Sequence, residues 1–335
     1  MSLDATSQLS LCRKALDQYD LKVRHSEFIR HSENITFKIS ADSGNYLLRI
    51  HYPLSGIIDP EFVNKEKINS ELQWLEALNS DSTLKVQSPV YNINGNMVST
   101  IEHDGNTLFC SLLTWLEGTV RYEDQTYTTA QAENLGKMVA KLHDHAASWQ
   151  LPSGFTRPEH NFQRLQMCLD KLLTENRELA FFDNHTAITL QKTVDKIKIC
   201  YQLEQQEHNW GLVHGDICEN NYLINGDEVS PIDFSLCGFG SFSEDITGSL
   251  LHIFREDMWQ AYFRGYSSIR VLPENLKNRI EAFVISSDLS NWSFHCTNPL
   301  EHEWLTNSVK KFMDKYIPPF LKGESYIFSR FNIDI

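Results

Sequence analysis

The sequence predicts an α+β fold with two lobes, an N-terminal lobe built from an antiparallel sheet plus a helix and a mostly helical C-terminal lobe. Three observations support this prediction. Apolar and polar residues alternate near the N-terminus as in β-hairpins, and beyond residue 118 the apolar residues recur at helical spacing. The chain has 335 residues, 41% of them hydrophobic, which suits two lobes better than one core. We place the lobes at residues 1–118 and 119–335.

The first predicted hairpin occupies residues 34–51, with a turn signal at Asp42-Ser43-Gly44-Asn45. Its first strand places apolar side chains on one face, at Ile35, Phe37 and Ile39. Arg49 lies in the returning strand, on the face opposite the apolar residues of that strand. The sequence therefore predicts a cation on the second face of the hairpin.

A helix is predicted over residues 64–78, because apolar residues recur at helical spacing at Ile68, Leu72, Leu75 and Leu78. Glu71 falls on or beside this apolar stripe. A buried carboxylate without a partner is costly, so Glu71 needs a cation nearby. We expect Arg49 to be that cation; the alternative is that Glu71 reaches the surface.

A nearly continuous apolar run at residues 107–116 predicts a buried strand that ends at a hinge, Glu117-Gly118. After this hinge, residues 129–149 predict a helix with a single apolar stripe. Helical patterns continue to the C-terminus except around residues 212–234. The strand-rich part of the chain therefore lies mainly before residue 118.

Residues 212–234 read LVHGDICENNYLINGDEVSPIDF and predict a second hairpin, with strand-like runs at 222–224 and 229–234 separated by Asn-Gly-Asp. This hairpin would place Asn221 almost opposite Asp233. An amide oxygen and a carboxylate are hard ligands that suit Mg²⁺. With Asp216 they give the pattern His-x-Asp-x-x-x-x-Asn followed by Asp-Phe, the order of a kinase catalytic loop. The alternative is a surface loop in which Asp and Asn only cap turns.

The bulk properties exclude some partners and predict a compartment. The formal net charge of −14 argues against nucleic acid, which proteins bind with lysine and arginine. The seven cysteines are scattered without a Cys-x-x-Cys pair, as in a reduced chain. The sequence starts without a signal peptide and contains no apolar run long enough to cross a membrane. We therefore expect a cytoplasmic protein with no nucleic-acid or membrane partner.

Three further patterns favour structure over chemistry. Gly238-Phe239-Gly240 lacks the third glycine and the surroundings of a dinucleotide-binding motif. The histidines of His143-Asp144-His145 diverge on a helix, so a packed pair is more plausible than a metal site. An aromatic cluster at helical spacing predicts core packing, with an aromatic wall for a cationic ligand as the alternative; its members are Trp259, Tyr262, Phe263 and Tyr266.

Several segments, in this order, resemble the aminoglycoside phosphotransferase and choline kinase superfamily, whose members have a protein-kinase-like fold. The segments are HSENITFKI, YLLRIH, SELQWLEAL, LLTWLEG, LGKMVAKLHDHA, LVHGDICENN and PIDF. The pattern is most similar to bacterial homoserine-kinase and stress-response-kinase type members. The resemblance covers about residues 25–270.

This resemblance implies a role for each matching residue. Asp216 corresponds to the catalytic aspartate, and Asn221 and Asp233 to the Mg²⁺ ligands. Arg49 takes the place of the strand lysine that contacts the phosphates of ATP, with Glu71 as its helix partner. The hinge that binds adenine corresponds to Thr114, Trp115 and Leu116.

The sequence departs from the family pattern at three places. Arginine stands at position 49 instead of lysine, and Asp-Phe-Ser replaces Asp-Phe-Gly at residues 233–235. No glycine-rich loop precedes Arg49, so Ser32 and Asn34 or the backbone near them would have to cover the phosphates. The serine at position 235 leaves the predicted Mg²⁺ ligand Asp233 in place.

The predicted function is therefore Mg²⁺-dependent transfer of the γ-phosphoryl group of ATP to a hydroxyl of a small molecule. An amino alcohol, a hydroxy amino acid, a sugar or an aminoglycoside would fit as the acceptor, and the oligomeric state is open. The alternatives are a Ser/Thr protein kinase of the stress-response type and an inactive nucleotide-binding scaffold. The candidates for acceptor recognition, which no motif supports, are Glu244, Asp245 and Trp292.

Overall fold

The protein is described by a computed structural model that covers residues 3–32, 34–52, 64–120 and 127–330. The chain forms two compact units. The first contains Met1–Thr119, Trp149–Pro158 and Ser230–Leu236, and the second contains Val120–Ser148, Glu159–Val229 and Cys237–Ile335. Because two later segments belong to the first unit, the units are not continuous in sequence, and a single lobe boundary after residue 118 stays a prediction.

An antiparallel six-stranded sheet forms most of the first unit, with strand order β1-β2-β3-β6-β4 and β5 paired to β6. Two helices accompany it, α1 (Ala5–Leu16) and α2 (Lys65–Asp81). The strands are β1 (Val23–His31), β2 (Asn34–Ala41), β3 (Gly44–His51), β4 (Pro89–Val90), β5 (Val98–His103) and β6 (Asn106–Thr114). The predicted sheet, its first hairpin and its helix are confirmed.

One face of this sheet is a hydrophobic core and the other carries polar side chains. Ile35, Phe37 and Ile39 on β2 are fully buried in a cluster that also includes residues of α1, β3 and β6. Their alternation produces this arrangement, because successive side chains of a strand point to opposite faces. Arg49 and Thr36 point to the second face.

The pairing register aligns one row of residues across four strands of the sheet. Thr36 on β2 pairs with Arg30 on β1 and with Arg49 on β3, and Arg49 pairs with Ser111 on β6. β1, at the edge of the sheet, has a bulge at Ile29. Phe28 pairs with Phe37 and Arg30 pairs with Thr36, so β1 advances by two residues where β2 advances by one.

The second unit is mostly helical. Its helices are α3 (Thr129–Ser148), α4 (Phe162–Leu179), α5 (Asn184–Gln206), α6 (Phe242–Leu250), α7 (Glu256–Ser267), α8 (Leu276–His295), α9 (His302–Lys315) and α10 (Ile317–Lys322). The strands β7 (Trp210–Val213) and β10 (Gly238–Ser241) pair with each other. β8 (Tyr222–Asn225) and β9 (Glu228–Pro231) form the second predicted hairpin.

Two glycines allow α3 and α7 to pack backbone against backbone. A Cβ atom added to Gly136 on α3 would lie 2.1 Å from the carbonyl oxygen of Tyr262, and one added to Gly265 on α7 would lie 1.9 Å from that of Glu133. Both distances are far below van der Waals contact, so only glycine fits at either position. The aromatic residues of α7 are buried, as predicted for a core cluster.

No helix in the described ranges is long and apolar enough to cross a membrane. All seven cysteines are free, and Cys12, Cys110, Cys237 and Cys296 are buried. The scattered cysteines therefore form no disulfide.

Candidate active site

The loop that follows β7 exposes Asp216 to solvent, and Asn221 of the same loop holds its carboxylate by a hydrogen bond. Asp216 is exposed, whereas Asn221 is buried. The Nδ2 atom of Asn221 donates to the Asp216 carbonyl oxygen at 2.9 Å and to its carboxylate Oδ2 at 2.6 Å. Nδ2 is engaged in these two hydrogen bonds, and the other polar atom of the Asn221 side chain, Oδ1, is an oxygen of the type that suits a hard cation.

Asp245, in the first turn of α6, holds the backbone of this loop. Its Oδ2 accepts from the amide of His214 at 2.7 Å, and its Oδ1 accepts from the amide of Gly215 at 2.9 Å. Gly215 has a φ of 77°, a left-handed conformation that favours glycine. Burial would raise the pKa of Asp245, but hydrogen bonds and nearby histidines lower it below the ordinary value. Asp245 is therefore ionised and supports the loop, which corrects its assignment to acceptor recognition.

His143 completes this support from α3. Its ring is fully buried, stacks on Phe242 at 4.4 Å and lies 2.9 Å from the hydroxyl oxygen of Tyr266. Its Nε2 lies 3.4 Å from Oδ2 of Asp245. Burial lowers the pKa of His143 although Asp245 opposes the shift. His143 is thus a packed residue, in keeping with the prediction for the His143-Asp144-His145 sequence.

Trp292, a further candidate for acceptor recognition, lies in the core of the second unit. It is fully buried on α8, and its indole nitrogen donates to the Ser308 hydroxyl at 2.9 Å. The assignment of Trp292 to acceptor recognition is therefore wrong. Glu244 is partly buried on α6 and accepts a hydrogen bond from the Tyr201 hydroxyl at 3.2 Å.

In the first unit, Arg49 and Glu71 form a buried ion pair. The Nη2 atom of Arg49 lies 2.7 Å from Oε1 of Glu71, and the two side chains are 3% and 2% exposed. The Nε atom of Arg49 donates to the Ser111 hydroxyl at 3.3 Å. The predicted pairing is confirmed, and the alternative that Glu71 reaches the surface is wrong. Burial, followed by the charges of Arg49 and Arg157, holds the pKa of nearby His51 well below its ordinary value, so His51 is neutral.

Asp233, also in the first unit, has an unusual backbone and two bonded carboxylate oxygens. Its φ of 62° is left-handed, which is uncommon outside glycine. Oδ1 accepts from the Ser235 hydroxyl at 2.6 Å, and Oδ2 lies 3.2 Å from Nη2 of Arg30. The serine that replaces glycine at position 235 thus bonds directly to the aspartate.

Arg157 and Phe234 fasten the Asp233 segment to α2. Arg157 is 4% exposed, and it donates to the carbonyl oxygens of Ser235 at 2.6 Å and Lys67 at 3.0 Å. The ring of Phe234 packs edge-on against Trp74 of α2 at 5.4 Å. The position of Asp233 relative to Glu71 is therefore fixed by contacts within the first unit.

The predicted hinge offers fewer backbone groups than its three residues suggest. The amide of Thr114 donates to the Ser88 carbonyl at 2.9 Å, and the amide of Trp115 donates to the Asn45 carbonyl at 3.0 Å. Within the described part of the chain, the amide of Leu116 donates to no protein acceptor. Leu116 is therefore the residue whose amide is available to a nucleotide base.

The predicted phosphate-covering residues differ from each other. Ser32 is exposed and its amide donates to the Asn34 carbonyl at 3.2 Å. Asn34 is buried at the start of β2. Of the two, only the side chain of Ser32 is open to solvent.

The structure divides the predicted site residues between its two units. Asp216 and Asn221 lie in the second, and Arg49, Glu71 and Asp233 lie in the first. No cluster of three or more His, Cys, Asp or Glu side chains able to hold a metal occurs in the described ranges. Asn221 and Asp233 each carry an oxygen donor of the type that Mg²⁺ takes beside phosphate and water ligands.

Of the residues that contact predicted site residues or their sequence neighbours, Arg30 and Arg157 were not predicted, and Asp245 was predicted in another role. Arg30 lies in a strand where a bulge disrupts the alternation, and Arg157 is an isolated arginine distant in sequence from its partners. The sequence did contain a signal for the position of Asp245. Ser241-x-x-Glu244 is a capping sequence that marks the start of a helix, and Asp245 follows it directly. A carboxylate in that first turn is well placed to meet neighbouring backbone amides.

Comparisons with known proteins agree with this description. The family described as "Phosphotransferase enzyme family" matches residues 26–274. Amicoumacin kinase from Bacillus subtilis (strain 168) is 21% identical over 268 residues, which cover 76% of this chain and 74% of that protein.

Solved structures share the whole fold at low identity. A microcompartment-associated aminopropanol kinase is 20% identical with a TM-score of 0.74, over 95% of this chain and 99% of its own. Amicoumacin kinase in complex with AMP-PNP, Ca²⁺ and Ami is 18% identical with a TM-score of 0.70, over 97% of both chains. A spectinomycin phosphotransferase in complex with ADP and spectinomycin is 13% identical with a TM-score of 0.61, over 96% of this chain and 98% of its own. The kinase-like fold predicted from the sequence is therefore confirmed.

Proposed function

The chain belongs to the phosphotransferase enzyme family, and on this premise we propose that it transfers the γ-phosphoryl group of ATP to a hydroxyl group of a small molecule. The observation that carries this proposal is the loop of the second unit. It exposes the Asp216 carboxylate, restrains it through Asn221 and secures its backbone through Asp245. This combination suits a group that must meet a substrate in a fixed orientation.

We assign Asp216 as the residue that orients the acceptor hydroxyl and takes its proton. A general base must come within hydrogen-bond reach of that proton, and the exposed carboxylate permits such an approach. The hydrogen bond from Asn221 to Oδ2 holds the carboxylate in one orientation. Orienting the acceptor hydroxyl and accepting its proton are sufficient for a base in phosphoryl transfer, because the protein contributes mainly positioning and charge stabilisation.

Asn221 and Asp233 are the proposed Mg²⁺ ligands. The Asn221 Oδ1 atom and the Asp233 carboxylate are hard oxygen donors, which suit Mg²⁺. Neither residue carries a sulfur atom, the soft ligand that favours other metals. When bound, Mg²⁺ offsets the negative charge of the phosphate oxygens. The Ser235 hydroxyl, which donates to Asp233 at 2.6 Å, would orient the carboxylate for this role.

Arg49, Glu71 and Leu116 are the proposed nucleotide-positioning residues. Glu71 and Ser111 fix the guanidinium of Arg49, so little conformational entropy is lost when it meets a phosphate. The amide of Leu116 would donate to the adenine ring, and the exposed hydroxyl of Ser32 would reach the phosphates.

A small acceptor is favoured over a protein because of the relatives' names. The similar proteins are named as kinases or phosphotransferases of aminopropanol, amicoumacin and spectinomycin. We extend this general class, and none of these particular compounds, to the chain: a small molecule with a hydroxyl, such as an amino alcohol, a hydroxy amino acid, a sugar or an aminoglycoside.

The proposal is tested by ADP release with ATP and Mg²⁺ across a panel of these acceptors. We expect turnover with at least one acceptor, and a decrease in kcat of about 100-fold or more in Asp216→Asn, because a positioned base contributes about 10² to 10⁴. Asp144→Asn, at an exposed position on α3, is the matched control and should retain wild-type turnover. Wild-type kcat in Asp216→Asn would contradict the assignment of the base, and ADP release only with protein substrates would replace the small-molecule acceptor.

A further inference from the structure

The exposed cation beside Asp233 has no part in the function described so far. We propose that Arg30 is a second phosphate-binding residue of the nucleotide site, which provides the anion contact that the missing glycine-rich loop would otherwise supply. The inference rests on the proposed function and adds a positioning residue to it. Arg30, Arg49 and Asp233 all lie in the first unit.

The register places Arg30 on the same face of the sheet as Arg49. Directly paired residues on neighbouring strands project to the same side, so the row Arg30, Thr36, Arg49 and Ser111 shares one face. Arg49 meets Glu71 of α2 on this face, and Arg30 meets Asp233 there. Only Thr36 therefore separates the two arginines in the row that crosses the strands.

The bulge at Ile29 is what gives Arg30 this direction. With regular pairing after Phe28, which is opposite Phe37, Ile29 would pair with Thr36 and Arg30 would point to the apolar face. The extra residue shifts the pairing by one and turns Arg30 to the polar face. Bulges commonly re-aim a side chain beside a functional site.

Exposure separates Arg30 from the other two arginines near Asp233. The side chain of Arg49 is 3% exposed and bonded to Glu71 and Ser111, and Arg157 is 4% exposed and bonded to backbone carbonyls. Arg30 is 54% exposed. Of the three guanidinium groups, that of Arg30 is the most accessible from solvent.

The amide of Ser32, which directly follows β1, is already engaged. A glycine-rich loop binds phosphates with free amides, but this connection contains no glycine and the amide of Ser32 already donates to the Asn34 carbonyl. A guanidinium with its planar array of donors can replace such amides, since it bonds two phosphate oxygens at once.

Arg30 forms an exposed ion pair with Asp233. Exposed ion pairs contribute little to stability, so the guanidinium can leave the carboxylate at small cost. A Mg²⁺ ion held by Asp233 would offset the charge of the carboxylate, and a phosphate of the nucleotide would then be the stronger partner for Arg30. The same side chain therefore changes partner without a large movement of β1.

The test is equilibrium dialysis of the full chain with Mg²⁺–ATP and, separately, with adenosine, which has no phosphate. We expect Arg30→Ala to weaken Mg²⁺–ATP binding about tenfold, the loss of one charge-assisted contact, and to leave adenosine binding unchanged. Arg30→Lys should recover part of the loss. Arg24→Ala, which removes an exposed ion pair with Asp42 from the same strand, should bind both ligands as the wild type does.

The outcomes separate this inference from the function on which it rests. Wild-type affinity of Arg30→Ala for Mg²⁺–ATP would overturn the inference and leave the proposed function intact. Equal weakening of ATP and adenosine binding would show a change of structure instead of a lost phosphate contact, and would also overturn it. If the wild type bound no Mg²⁺–ATP, both proposals would be overturned.

Discussion

Arg49 and Glu71 form a buried ion pair, and we propose that the guanidinium of Arg49 positions the nucleotide. Both side chains are almost completely buried, and each satisfies the charge of the other. Desolvating two charges is costly, so such a pair stabilises a fold less than apolar residues of similar size would. Its presence is best explained by the positioning of the guanidinium.

Removing one partner should therefore be more damaging than removing both. We expect Glu71→Ala to lower the free energy of unfolding by about 3–5 kcal/mol, because the buried charge of Arg49 would lose the carboxylate that offsets it. The double variant Arg49→Met/Glu71→Leu should recover most of this stability without recovering Mg²⁺–ATP binding. Urea denaturation and equilibrium dialysis measure the two quantities. A cost below about 1 kcal/mol for Glu71→Ala would show that Arg49 finds another partner or reaches solvent.

At the scale of elements, close backbone contact between α3 and α7 depends on two positions without a side chain. Gly136 and Gly265 lie opposite carbonyl groups of the partner helix. A methyl group at either position cannot be accommodated by rotating a flexible side chain, because the obstructing atoms belong to the backbone. The two helices would have to separate, and α3 carries His143, which contacts Asp245.

We expect Gly265→Ala to destabilise the protein by about 2–3 kcal/mol, the usual cost of forcing extra volume into a packed core. Gly248→Ala on α6 is the control, because its added methyl group would be 3.4 Å from the Ile217 carbonyl oxygen. That substitution should be neutral or stabilising by up to about 1 kcal/mol, the gain in helix propensity. Equal thermal midpoints for the two variants would mean that α3 and α7 do not need this close approach.

Elements with regular periodicity could be predicted from the sequence, and irregular ones could not. Alternation predicted β2 and β3, and helical spacing predicted α2 and α3. The bulge in β1 breaks the alternation, so the direction of Arg30 could be obtained only from the register. The Asp245 contacts bring together segments about 30 residues apart, and no local pattern encodes such an approach.

At the scale of the whole molecule, two carboxyl groups of the second unit make stability depend on pH. Burial raises the pKa of Glu244 to about 8 and that of Asp288 to about 7. Within the described part of the chain, Oε2 of Glu244 has no hydrogen-bond partner, which fits a protonated carboxyl group. These groups bind a proton in the folded state that the unfolded chain releases at lower pH.

The sign of the effect follows from proton binding. Between the ordinary Glu pKa of 4.5 and about 8, the folded protein retains the proton on Glu244 and the unfolded chain does not, so stability falls as the pH rises through this window. The loss is on the order of 5 kcal/mol. We expect Glu244→Gln to remove this loss, so that the variant matches the wild type near pH 4.5 and exceeds it above pH 8.

Urea denaturation across the pH range measures the difference, with Glu303→Gln as an exposed control on α9. The control should keep the wild-type slope. If Glu244→Gln showed the same slope as the control, Glu244 would be ionised throughout, and another group would have to explain any decline of stability at alkaline pH.

The bulge in β1 also affects how this protein should be compared with its relatives. A gapless alignment of β1 with a regular strand would match Ile29 to the position opposite Thr36, although Arg30 occupies that position in space. An arginine that faces the same way in a relative with a regular strand would therefore stand one column away. Because β1 is at the edge of the sheet, a one-residue insertion there disrupts pairing with a single neighbour. Such an insertion is an inexpensive evolutionary route by which a charge can be moved from one face of a sheet to the other.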